Sequence, residues 1–108
     1  MPIDIVKQSD PSESILIKIS GKFDFNAQKE FEFVAHEVLT KYRMLPIKID
    51  LARTEYIDSS AISFLFKFRD SLGEDRPRMR LTGARGMVKL VLDTVNAHYL
   101  FDIDGHQP

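Results

Sequence analysis

"PIKIDLARTEYIDSSAISFLFKFRDSL" runs from Pro46 to Leu72 and changes its hydrophobic period halfway. In "PIKIDLA", Ile47, Ile49 and Leu51 alternate with Lys48 and Asp50, the period of two that marks a strand. After Ser59 the apolar residues fall at helical spacing. Ala61, Leu65, Phe68 and Leu72 lie at the centre of an arc that also takes in Ile62, Phe64 and Phe66. At 100° per residue that arc covers about 200°, twice the usual core stripe of a helix. A strand that feeds a helix through a short polar joint is half of a strand–helix–strand unit, the connection that parallel strands require. Asp58, Ser59 and Ser60 stand at the joint.

The same alternation and switching recur on both sides. "IDIVK" (3–7) reads as a short strand and "SILIKIS" (14–20) as a second. Between them "QSDPSE" carries turn chemistry, so the two form an antiparallel hairpin. Gly21 to Phe25 breaks the pattern, and a helix follows from Asn26 to about Arg43. Its stripe is Ala27, Phe31, Val34, Val38 and Tyr42, with Phe33 and His36 off it. Beyond Leu72, "GEDRP" stops the central helix with a glycine and a proline. "RMRLTG" (78–83) is a further strand, "ARGMVKLVLDTV" (84–95) a third helix, "HYLFDI" (98–103) a last strand, and "DGHQP" a tail.

This order predicts an α/β fold with a mixed, mostly parallel sheet of about five strands joined by right-handed crossovers. Parallel strands covered on both faces usually read as unbroken apolar runs. These alternate, so the helices are expected mainly on one face, leaving Lys18, Lys48, Asp50 and Arg80 in water. The whole chain, 1–108, reads as a single domain.

The 108 residues carry 15 Lys and Arg against 16 Asp and Glu, a balance that argues against a nucleic-acid or anionic-membrane binder. There is no cysteine, which removes disulfides and thiolate metal sites. No apolar run reaches membrane-span length, and the N-terminus lacks a secretory pattern, so a cytoplasmic protein is expected.

In an open α/β sheet, loops leaving the carboxyl ends of parallel strands gather at one edge, where ligands favour binding. Three such loops are expected together. They hold Gly21, Phe23, Asp24 and Asn26; Thr54, Tyr56, Asp58 and Ser59; and Gly83, Arg85 and Gly86. One of Asp58, Ser59 and Ser60 caps the helix, a role that contributes ~1 kcal/mol. A serine not needed for the cap is a candidate phosphoacceptor, because a helix N-terminus tolerates phosphate. Asp24 or Asn26 caps the first helix, or Asp24 contacts a partner or orients Ser59. "GARG" (83–86) is a plain turn, or an anion cradle with Arg85 as its charge. Phe64 and Phe66 mark opposite margins of the central helix's arc. Both are covered by neighbouring structure, or one margin is an exposed docking surface.

An enzyme reading fails on placement. A serine nucleophile needs a base within hydrogen-bond reach. His36 points away from the core, His106 lies in the tail, and His98 is expected to begin a strand at the far edge. No metal-ligating pair of histidines occurs, and no cofactor is expected.

Three segments together resemble a known family. "YIDSSAISFLFKFRDSL" after "PIKIDLART" is similar to the STAS domain of bacterial anti-sigma-factor antagonists, in which a strand leads through Asp-Ser-Ser or Asp-Thr-Ser into an apolar helix. "GKFDFNA" resembles the family's Gly-x-Leu/Phe-Asp segment, and "MRLTGARGMVKLVLDTVNAHYLFDI" its closing strand, helix and strand. The resemblance spans residues 3–103. It implies that a serine kinase, itself the anti-sigma factor, phosphorylates the hydroxyl after the aspartate, here Ser59. It also implies that the unphosphorylated domain binds that anti-sigma factor, that phosphorylation releases it, and that a serine phosphatase reverses the mark. Asp24 matches an aspartate near the phosphoacceptor. Asp58 and Ser60 are then the cap and the local electrostatics, while Asp24, Phe64, Phe66 and Arg85 belong to the docking surface. Two departures stand out: Ala61 sits where glycine is also common, and the C-terminal helix is missing. The second suggests an oligomer such as a weak homodimer, a partner-supplied cover, or a looser end. The alternative within the same fold is a constitutive subunit of an ABC-type lipid transporter, which needs no phosphoacceptor. The same switch acting on a different output is a third reading.

Overall fold

The structure, a computed structural model, describes residues 3–9, 12–73 and 79–104. Asp10 and Pro11 of the first turn, Pro77 and Arg78 after the second helix, and His106 with the tail from 105 lie outside them. Five strands form one sheet in the order β1-β2-β3-β4-β5: β1 (Ile3–Gln8), β2 (Ser14–Phe23), β3 (Ile47–Ile57), β4 (Arg80–Thr82) and β5 (Asp102–Ile103). β1 pairs antiparallel with β2 and every other neighbour is parallel. The helices are α1 (Gln28–Lys41), α2 (Ser59–Leu72) and α3 (Gly86–Thr94). Among the described residues, no helix is long and apolar enough to cross a membrane.

Alternation sets the two faces. Ile15, Ile17, Ile19, Ile47, Ile49, Leu51 and Leu81 are all buried with the helix residues Phe31, Val34, Val38, Ala61, Leu65, Phe68, Val88 and Leu92. On the other face, Lys18, Lys48 and Arg80 are exposed and Asp50 is half-buried. The one-sided cover expected from the alternation is therefore observed.

Besides ends that shift by a residue or two, three differences from the sequence reading matter for the site. β2 and β3 run on past residues 20 and 52 as a pair, to Phe23 and Ile57. Gly21, Phe23, Thr54 and Tyr56 therefore stand in strands, not loops. The extension is irregular, with register shifts between Lys18 and Ser20 and between Gly21 and Lys22. Its inward residues, Leu51, Thr54 and Ile57, recur every third position, so no alternation marks it. Buried Thr54 donates through Oγ1 to the carbonyl of Ile19 at 2.8 Å, satisfying a group at the irregularity. Second, the helix expected from Asn26 opens as a 3-10 turn, Phe25–Ala27, and becomes α-helical at Gln28. Third, only Asp102 and Ile103 of "HYLFDI" are strand; Ala97–Tyr99 form a 3-10 turn after Asn96, whose φ is 55°. His98 therefore does not begin a strand.

Candidate functional site

The long β2–β3 pair carries two connections to a common edge. Phe23 and Ile57 are register partners at its tip, so Asp24 and Asp58, the next residues, leave the sheet side by side. Asp58 adopts extended backbone and is the N-cap of α2. Its Oδ1 accepts from the Ala61 amide at 2.9 Å. Its Oδ2 accepts from the Phe25 amide at 3.4 Å, joining segments 33 residues apart in sequence. Asp24 likewise caps the turn that follows it, accepting from the Asn26 amide at 3.0 Å.

The cap of α2 is thus a carboxylate, and the expectation that Ser60 shares the capping is corrected. With Ala61 N–H taken by Asp58, neither serine hydroxyl has a hydrogen-bond partner among the described residues. Ser59, the first residue of α2, is exposed, and Ser60 is half-buried. The first intrahelical bond runs from Ile62 N–H to Asp58 C=O, so the amides of Ser59 and Ser60 are the open donors of the helix end. Open amides at a helix N-terminus favour an anion.

The third loop is not brought to this edge. β4 ends at Thr82, opposite Asp50, while β3 continues to Ile57. Arg85 donates through Nη2 and Nε to the Ala52 carbonyl, at 3.1 and 3.3 Å. Ala52 lies five residues down β3 from Ile57, roughly 15 Å at the usual rise of a strand. Gly83 shares this anchorage: its φ is +75°, and a Cβ there would stand 2.9 Å from both Cβ and N of Ala52. The "GARG" segment is accordingly a turn pressed against β3.

Both margins of the α2 arc are partly covered. Phe64 packs in an aromatic cluster, 6.1 Å from Phe31 and 6.2 Å from Phe23, with Phe31 edge-on to Phe68 at 5.7 Å. Phe66 stacks on Phe101 at 5.9 Å. Each ring is half-buried. A more exposed aromatic at this edge is Phe25, 64% exposed, with its amide held by Asp58. Its signal in the sequence was the apolar residue after Asp24, which fits no stripe. Phe33 is also exposed but sits on α1, away from the edge.

The comparisons with known proteins bear on the family and the fold. A profile of the STAS domain matches residues 3–106. A STAS-domain containing protein of Pseudomonas aeruginosa is 32% identical over 104 residues, covering 95% of this chain and 99% of that protein. Among solved structures, a candidate anti-sigma factor antagonist of Thermotoga maritima superposes with a TM-score of 0.79 at 20% identity, over 94% of this chain and 84% of that one. The anti-sigma factor antagonist SpoIIAA in its unphosphorylated form gives 0.67 at 13% identity, over 96% and 90% of the two chains. The phosphorylated form of the Bacillus protein gives 0.66 at 14%, over 95% and 93%. At these identities the structural likeness speaks for the fold. With the profile spanning nearly all of the sequence, the chain belongs to the STAS domain family.

Proposed function

We propose that the protein is a phosphorylation-switched interaction module, an anti-sigma factor antagonist whose phosphoacceptor is Ser59. The supporting observation is a division of labour at the head of α2. Asp58 caps the helix, and the Ser59 hydroxyl is exposed and has no hydrogen-bond partner among the described residues. The unmodified edge binds an anti-sigma factor that is also a serine kinase. Phosphorylation adds about −1.5 to −2 charges beside Asp58 and Asp24. At ~6 Å from a carboxylate that charge costs about 1–2 kcal/mol in water, and several times more under a partner that excludes water. Binding is then lost, and a serine phosphatase restores it. Phe25 and Asp24 form the near part of the docking surface. Phe64 and Phe66 support α2 from either side, and Arg85 fixes the more distant turn.

The reading is tested by substitution at Ser59, with partner capture from the native cells followed by titration of the purified partner. Ser59→Ala retains the partner permanently and Ser59→Asp releases it, with both variants folded. If both bind as the wild type does, the switch is wrong and a constitutive subunit, as in ABC-type lipid transporters, takes its place.

A further inference from the structure

We draw no further inference here: the strongest candidate, the groove of about 370 Å³ between α1 and α2 lined by Phe31, Phe64 and Phe68, carries both Glu32 and Lys67, so its charge selects no ligand, and nothing in the structure shows what covers it.

Discussion

The Asp58 carboxylate reaches the Phe25 amide at 3.4 Å while its other oxygen caps α2, so one side chain ties the tip of β2 to the head of the helix that carries Ser59. The two bonds can be separated. In Asp58→Asn the amide oxygen can still cap Ala61, but the amide nitrogen faces the Phe25 N–H, donor against donor. Amide hydrogen exchange is expected to stay slow at Ala61 and quicken at Phe25, with a stability loss below ~1 kcal/mol. Asp58→Ala loses both bonds and costs about 1–2 kcal/mol. Equal protection at Phe25 in wild type and Asp58→Asn would show that the bridge is not made.

Ser59→Ala and Ser60→Ala separate the two hydroxyls. Neither has a hydrogen-bond partner among the described residues, so each variant is expected within about 0.5 kcal/mol of wild-type stability in urea denaturation. Radiolabel transfer from the cognate kinase should be abolished in the first and retained in the second. Labelling of Ser59→Ala at the wild-type level would move the acceptor to another residue.

Phe25→Ala removes an exposed ring and should leave the melting temperature unchanged. On the proposed docking edge it weakens partner binding about tenfold or more, a loss of roughly 1.4 kcal/mol. Phe33→Ala, equally exposed but on α1, serves as the control and should bind normally. Titration calorimetry that ranks the two variants alike would remove Phe25 from the edge.

Two glycines with nearly the same backbone should respond differently to alanine. Gly21 and Gly83 have φ of +73° and +75°, but a Cβ at Gly21 meets nothing within 4 Å. Gly21→Ala is expected to cost only backbone strain, about 1–2 kcal/mol. Gly83→Ala adds the clash with Ala52 and should cost at least ~1 kcal/mol more. Equal urea midpoints would contradict the close packing of the 83–86 turn on β3.

Wherever one period held, the fold was legible. The alternation of Ile15, Ile17 and Ile19 and of Ile47, Ile49 and Leu51, and the helical run from Ala61 to Leu72, mark strands, helix and buried face together. Legibility failed where the period broke. Leu51, Thr54 and Ile57 point inward at every third residue through an irregular ladder, so the far half of β3 looked like a loop. That error placed Arg85 too near Ser59, because strand length decides which loops meet. At the site, Asp-Ser-Ser pointed to a cap and a spare hydroxyl. Which residue caps depended on the backbone of Asp58, and no pattern of residue types reveals that.

The most direct measurement is intact-mass and fragment-ion analysis of the protein from its native cells, across growth conditions. The peptide Thr54–Lys67 holds Ser59, Ser60 and Ser63 together, so fragmentation must resolve the three. A single phosphate on Ser59 that comes and goes with conditions is the predicted result. A phosphate confined to Ser60 or Ser63, or none under any condition, would contradict the switch and leave Asp-Ser-Ser as the capped start of a helix.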